Sequence, residues 1–270
     1  TWSISVHGPD SMEDVTKFDF IRRVGSTDGV RVISHFARQQ VIRHVGHDII
    51  KKLRIVHCGV ETHSRKYIPP LGKSQMVGLT VGRLVSAKGQ IFLLQALKQL
   101  KDQTGLQPQW NFIGSGPDEK VLKNMTHTLG LGEQVHFHGA LDQNQVQAHL
   151  DDSDVFVLPS LAEGIPVSLM EAMAKEVPVI SCHTNGIPEL IQNGINGYLC
   201  RPASVEDLTQ ALIKVILQKD RNEAMTFMAR KTIEEGFNSE LTGKEMNDFL
   251  SEVLGINNNP SLPRHLEAAA

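Results

Sequence analysis

Cysteine is scarce in this sequence: Cys58, Cys182 and Cys200 are all there is, and they lie far apart. An odd count without a close pair is poorly suited to a disulfide framework, offers no paired-cysteine metal spacing, and fits a reducing cytoplasm. Charge of one sign is lacking too. Lys and Arg number 27 against 30 Asp and Glu, with no block of like charge and a formal net charge of -3, so there is no electrostatic footprint for nucleic acid or an anionic membrane. A small-molecule partner becomes the default. No apolar run approaches the roughly 20 residues needed to cross a bilayer, and the N-terminus has no signal-peptide pattern; peripheral membrane association stays open. An initiator methionine is also missing. The chain opens at Thr1 and enters the apolar, strand-like Trp2-Ser3-Ile4-Ser5-Val6 at once, which reads as a start within a longer protein.

Two nucleotide signatures are absent or incomplete. Ile113-Gly114-Ser115-Gly116-Pro117 lacks the full G-x-G-x-x-G and the spaced acid of a nicotinamide site, and no G-x-x-x-x-G-K-[ST] of a P-loop occurs anywhere. A metal is not expected. His136 and His138 alternate along one run and Cys182 adjoins His183, but a lone HxH on a buried strand is more often structural.

The chain is 40% hydrophobic and 21% charged, with 22 Gly and 12 Pro scattered as turn punctuation, as in a soluble globular protein. From Val77 onward, β-rich runs alternate with amphipathic stretches, the pattern of an α/β domain with a parallel sheet flanked by helices. Strands are expected at Val77–Val81, Trp110–Ile113, Val135–His138, Val155–Leu158, Val177–Ser181 and Gly197–Leu199. Between them helices are expected near Gln90–Gln103, Asp118–Leu129, Gln143–Leu150, Val167–Ala174, Ile187–Gln192 and Ser204–Leu217, the last opened by a capping hydroxyl and two acids. Upstream, Val30–Ile33, a helix capped by Ser34 and running to about Val45, and Leu53–His57 are pieces of a second α/β unit. Paired prolines and a glycine in Tyr67–Lys73 mark the linker. The division is therefore 1–70, a remnant of an N-terminal domain; 71–240, the main domain; 241–257, a terminal helix; and 258–270, a frayed tail. The last five residues, Leu266–Ala270, read as an appendage and are left out of the fold. The first unit is too short for an independent layered sheet and is expected to leave apolar faces uncovered.

Chemistry gathers at three strand-to-helix turns. In Pro159–Ala174 a loop with Gly164, Ile165 and Pro166 opens a helix at Val167-Ser168-Leu169, where unpaired amides and the positive helix end suit a phosphate; Pro166 sits where a first-turn proline is tolerated. Glu171 lies one turn into that helix and Glu163 on the loop before it, so two carboxylates aim at one ligand and can accept from pairs of sugar hydroxyls. On spacing alone a solvated loop acid and a helix-surface acid explain them equally well. Gly82-Arg83 follows a strand and Lys88 stands at the next helix start, where a cation is disfavoured unless an anion is near; the plain alternative is two surface cations. Gly114–Pro117 is the third turn, at the carboxyl edge where ligands of open α/β sheets collect.

Gly82-Arg83 with Lys88-Gly89, Gly114–Pro117, Glu163 and Glu171 in an E-x(7)-E spacing, and Gly186-Ile187-Pro188-Glu189 follow one another as in family 4 glycosyltransferases. The chain resembles that family from Ser5 to about Leu254, and Glu163–Val167 looks like bacterial enzymes of exopolysaccharide or colanic-acid type. The resemblance implies a GT-B fold, two Rossmann-like domains facing across a cleft, with this chain holding the C-terminal domain and part of the N-terminal one. It implies a retaining transfer of a hexosyl group from a UDP- or GDP-sugar to a glycan or lipid-linked acceptor, in the cytoplasm or peripherally at the inner face of the membrane through the missing part of the N-terminal domain. No cofactor beyond the nucleotide-sugar co-substrate and no metal is implied. By position, Arg83 and Lys88 neutralise the diphosphate, the amides near Val167–Leu169 complete its site, Glu171 binds ribose, Glu163 holds the donor sugar, and His7 touches that sugar from the first domain. The catalytic set is then His7, Arg83, Lys88 and Glu163, with Gly82, Gly114, His138 beside the base, Gly164, Ile165, Pro166, Ser168 and Glu171 lining the donor.

Two departures stand out. Glu176 occupies a position where the family usually has glycine. Family members are much longer, which puts turnover by this chain in question, and the helix near Leu241–Leu254, resembling the segment that crosses back onto the missing domain, is expected to lack support. A nucleotide-sugar-binding module without transfer, and a GT-B epimerase or phosphorylase relative, are the alternatives; the residues name neither base, sugar nor acceptor.

Overall fold

The computed structural model describes residues 2–7, 19–62 and 76–256. The linker expected at 67–73, the boundary at 70 and the tail expected at 258–270 lie outside the described residues. Two parallel sheets are present.

The first sheet has three strands, β1 (Ser3–Val6), β2 (Gly29–Val32) and β3 (Leu53–Ile55), in that spatial order. Helices α1 (Phe20–Ser26) and α2 (His35–Val45) lie between them in sequence. The central strand β2 is buried along its whole length, the mark of a parallel strand covered on both faces. Ser34 caps α2 as its sequence predicts, its Oγ accepting the Ala37 amide at 3.0 Å.

The second sheet has six: β4 (Val77–Val81), β5 (Gln109–Ile113), β6 (Val135–Phe137), β7 (Val155–Leu158), β8 (Val179–Cys182) and β9 (Tyr198–Cys200). Their order is β6-β5-β4-β7-β8-β9, all parallel. This is the doubly wound arrangement, in which the strand order reverses between β4 and β7 and opens a crevice at their carboxyl ends. Helices α3 (Gln90–Thr104), α4 (Glu119–Thr128), α5 (Gln143–Asp152), α6 (Val167–Ala174), α7 (Ile187–Leu190) and α8 (Val205–Leu217) follow the strands in turn. A buried relay crosses the reversal: the Trp110 indole donates to Thr80 Oγ1 at 3.0 Å, and Thr80 donates to the Val157 carbonyl at 2.9 Å. It joins β5, β4 and β7 through side chains whose polar atoms are all satisfied.

The expected strands and helices are present, with ends displaced by a residue or two as hydrogen-bonded boundaries usually are. The strand placed at Val177 begins at Val179, and the helix placed at Ile187–Gln192 stops at Leu190. Helix α9 (Lys219–Gly236) was not anticipated. Its buried stripe of Asn222, Met225, Thr226, Ala229 and Ile233 includes two polar members, which break the apolar period.

The terminal helix α10 (Ser239–Leu254) corrects an expectation. It is not left without support. Val60 donates to the Phe237 carbonyl at 2.9 Å and Ser239 donates back to Val60 at 3.0 Å, which brings the chain onto the first unit before the helix starts. Phe249 is then buried, with Arg54 of β3 paired to Glu252. The faces of the first unit expected to be bare are thus partly covered from the far end of the chain. Glu176, in the family's glycine position, adopts φ 56°, the left-handed conformation glycine favours, so the backbone there is glycine-like after all. Arg230 lies 3.8 Å from its carboxylate.

Candidate active site

The turns after β4, β5 and β6 are laced together chiefly by backbone, with Ser86 Oγ donating to Asp118 Oδ2 at 2.9 Å beside it. Gly82 donates to the Ile113 carbonyl at 2.9 Å, Leu84 to Ser115 at 2.9 Å, and Gly114 to Gly139 at 2.7 Å. Gly114 has φ 134°, and a Cβ there would be driven into the Gly82 carbonyl oxygen. Only glycine permits this approach. The buried Gln90 side chain donates to the Arg83 carbonyl at 2.7 Å and fixes that turn from below.

Lys88 ends a short 3-10 turn, Ser86–Lys88, and its Nζ meets Glu163 Oε1 at 2.5 Å. Ser160 Oγ donates to the same oxygen at 2.7 Å. Glu163 is 7% exposed, so the carboxylate needs both partners to offset its desolvation. Leu161 donates to the Ala87 carbonyl at 2.8 Å and locks the two loops side by side. The structure therefore brings together two residues to which the sequence assigned separate ligand groups: Lys88 and Glu163 are partners of one another.

Helix α6 opens beside them. Pro166 is its N-cap residue rather than part of its first turn, and no side chain caps the helix. Val167 is 46% exposed, and Ser168 Oγ donates to the Val81 carbonyl at 3.3 Å, tying the opening of α6 to the end of β4 at the reversal point. Gly164 and Ile165 are buried beneath the loop. The Leu169 amide is used within the helix, donating to the Pro166 carbonyl at 3.2 Å, and its side chain lies in the core; the amide set expected for a phosphate shrinks accordingly to the first residues of the helix. Glu171, one turn on, accepts from Gln143 Nε2 at 2.5 Å, which brings the openings of α5 and α6 together.

His138 lies at the far side. It shares a 2.8 Å hydrogen bond with Asn111 Oδ1, and His136 shares one of 2.7 Å with Gln109 Oε1. Both histidines are exposed on the sheet's edge strand, not buried as expected, and amides of β5 hold them. Desolvation first, then the neighbouring His149 and His136, pushes the His138 pKa below the ordinary 6.5. A shallow hollow of about 460 Å³ runs along this edge past Lys123, Phe137 and His138 and reaches none of the other candidate residues. Among the described residues no group of three His, Cys, Asp or Glu could hold a metal.

His7 stands at the carboxyl end of β1, its Nδ1 3.8 Å from Cys58 Sγ. Arg31, buried in β2, reaches under this edge. It donates through Nε to the Val56 carbonyl and through Nη2 to the His57 carbonyl, both at 3.0 Å, and Nη2 lies 3.8 Å from Cys58 Sγ. Burial, then the Arg31 charge, lowers the His7 pKa. Glu189 of α7 accepts the amides of His35 and Phe36, at the start of α2, at 2.8 Å each. This contact turns the carboxyl edges of the two sheets toward each other. Sequence reasoning passed over Arg31, Cys58 and Ser160, and used Glu189 only as part of a motif; the one available signal was an arginine inside an otherwise apolar strand.

Residues 65–232 match the family described as glycosyl transferases group 1. The chain belongs to that family. AmsK of Erwinia amylovora, an amylovoran biosynthesis glycosyltransferase, is 35% identical over 185 residues, 65% of this chain and 44% of that protein. WcaL of Escherichia coli K12, named for colanic acid biosynthesis, is 35% identical over 182 residues, 65% of this chain and 45% of its own length. The chain thus spans under half the length of these two relatives. Among solved structures, Anabaena Alr3699/HepE in complex with UDP-glucose superposes with a TM-score of 0.82 at 20% identity, over 93% of this chain and 72% of that one. That likeness establishes the GT-B glycosyltransferase fold. No helix among the described residues is long and apolar enough to cross a membrane.

Proposed function

We propose that this group 1 glycosyltransferase chain is the donor-binding part of a retaining hexosyltransferase that uses a UDP- or GDP-sugar to extend a glycan or lipid-linked acceptor in polysaccharide biosynthesis. The observation that carries the reading is the Lys88–Glu163–Ser160 cluster beside the uncapped opening of α6, at the point where the strand order reverses. The names of AmsK and WcaL support the pathway class. UDP-glucose in the Anabaena structure, and a 28% identical GDP-mannose-dependent mannosyltransferase of Mycobacterium tuberculosis, support the donor class.

In this reading the diphosphate lies on the α6 opening between Arg83 and Lys88, Glu171 takes the ribose hydroxyls, and Glu163 takes the sugar. The bond from the anomeric carbon to the diphosphate breaks while the acceptor oxygen bonds that carbon from the same face, and the acceptor proton leaves with the phosphate. Negative charge grows on the leaving phosphate, so the two cations and the helix end act more strongly in the transition state than in the ground state. These groups take the place of a metal. Entry of the diphosphate draws Lys88 from Glu163 and releases that carboxylate to the sugar.

A thermal-shift panel of UDP, GDP, ADP and their common sugars in excess chelator tests this. Ligand at 100 times its dissociation constant adds about 2.7 kcal/mol, a rise of roughly 5–10 °C for a domain of this size. One base is expected to stabilise the chain, less so in Glu171→Ala and Lys88→Met. A flat response to every nucleotide, with or without added metal, would sink the reading.

A further inference from the structure

Helix α2 has no acidic residue in its first turn, yet its opening is fully served. Ser34 takes the Ala37 amide, and the two earlier amides, those of His35 and Phe36, go one to each oxygen of Glu189, over 150 residues away. A carboxylate on two consecutive amides of a helix opening gains two charge-assisted bonds and the helix dipole together.

The other end of α7 rests on the candidate donor loop. Thr184 Oγ1 donates to the Leu161 carbonyl at 2.9 Å, and a Cβ on Gly186 would be driven into the Gly164 carbonyl oxygen. The four-residue helix α7 thus lies with its base against the Glu163 loop and its tip on α2. Helix α2 follows β2, whose neighbour β1 carries His7.

We propose that Glu189 is a positioning residue that sets the orientation of the His7-bearing sheet according to the state of the Glu163 loop. This rests on the donor site proposed above. A shift of the loop when sugar takes the Glu163 carboxylate that Lys88 has left passes through Gly186 to α7, and through the Glu189 carboxylate to the first sheet. An ordinary helix cap would stabilise α2 and do no more.

The test places spin labels on exposed Gln39 of α2 and Lys120 of α4, in a Cys58→Ser background, and measures the distance distribution between them. In parallel, calorimetry gives the affinities for UDP, UDP-glucose, GDP and GDP-mannose. A single narrow distance is expected with native Glu189, a broad one in Glu189→Ala, and an intermediate one in Glu189→Gln, which keeps one acceptor oxygen. Affinity for the bare nucleotide should hold within about twofold while that for its sugar falls about tenfold in Glu189→Ala, because only the sugar reaches toward the first sheet. An unchanged distribution in both variants overturns the proposal, as does equal weakening of nucleotide and nucleotide sugar. If Glu189→Ala does not fold, Glu189→Gln decides alone. If no nucleotide binds the native chain, the donor reading fails while the distances still decide whether Glu189 holds the sheets.

Discussion

The carboxyl edges of the two sheets are built on opposite plans. Turns of the six-stranded sheet hold each other through backbone hydrogen bonds, with glycine contacts such as Gly82 against Gly114 allowing the chains to touch. At the edge of the three-stranded sheet, side chains do this: Arg31 carries the carbonyls of Val56 and His57 and approaches the thiol beside His7, and the His57 ring shares a 2.8 Å hydrogen bond with the Ile33 carbonyl. A backbone-built edge is preformed whatever its side chains then do: Lys88 pairs with Glu163 there, and Glu171 with Gln143. A side-chain-built edge depends on a few residues, and its electrostatics depend on the charge of one of them, Arg31.

The largest effect expected from breaking this contrast is at Gly114. Gly114→Ala forces a Cβ onto a backbone oxygen at a φ that L residues rarely adopt, and should cost about 4 kcal/mol in urea unfolding. Arg31→Met removes the donors of two carbonyls at the other edge and should cost about 2 kcal/mol, with nucleotide stabilisation kept because the second edge is untouched. An equal cost for the two, or loss of the nucleotide response in Arg31→Met, would show that the edges are not built as separately as the hydrogen bonds suggest.

Acid should act on both edges with one sign and one leading cause, but with different second causes. His7 and His138 have pKa values lowered from 6.5 in the fold, so the unfolded chain binds protons more readily than the folded one. The neutral imidazoles therefore contribute their full stability above about pH 6.5, and it is lost as pH falls through the lower folded values. Burial leads at both sites; Arg31 is the second cause for His7, and His149 with His136 for His138. Melting temperature is expected to fall from pH 6.5 to 5, less steeply in His7→Gln and in His138→Gln. Arg31→Met should flatten the His7 share alone. Equal slopes in all four proteins would remove the electrostatic half of the contrast.

What the sequence made legible follows the same division. Runs such as Val155–Leu158, bounded by Asp154 and Pro159, announce their strands, and Ser34 and Ser204 announce their helices, because each signal is local. Gly82, Gly114 and the loop from Glu163 to Pro166 could be placed at one sheet edge because a backbone-built site needs glycines and prolines at fixed turns. Lys88 with Glu163, and Glu189 with α2, join residues 75 and more than 150 positions apart. Such pairs leave no pattern in either segment. Helix α9 was hidden for another reason, since Asn222 and Thr226 are buried on its inner face and periodicity reads them as surface.

Glu176 gives the smallest expected effect and the finest test of whether backbone or side chain governs a turn at the far end of α6, just before β8. Its left-handed conformation costs about 1 kcal/mol for a residue with a Cβ. Glu176→Gly removes that strain but loses the Arg230 contact, a largely buried pair at 3.8 Å; Arg230 keeps Glu234 at 2.7 Å, so the loss is of the order of one hydrogen bond, about 1 kcal/mol. Glycine also frees the unfolded chain, which subtracts about 0.7 kcal/mol. The terms nearly cancel, so unfolding stability should change by less than about 1 kcal/mol. Asparagine, which tolerates left-handed backbone and frees the unfolded chain less than glycine does, should equal or exceed it. A loss well beyond 1 kcal/mol in Glu176→Gly would mean that Arg230 holds this turn through the Glu176 carboxylate, as Arg31 holds the other edge, and that the six-stranded unit relies on side chains here too.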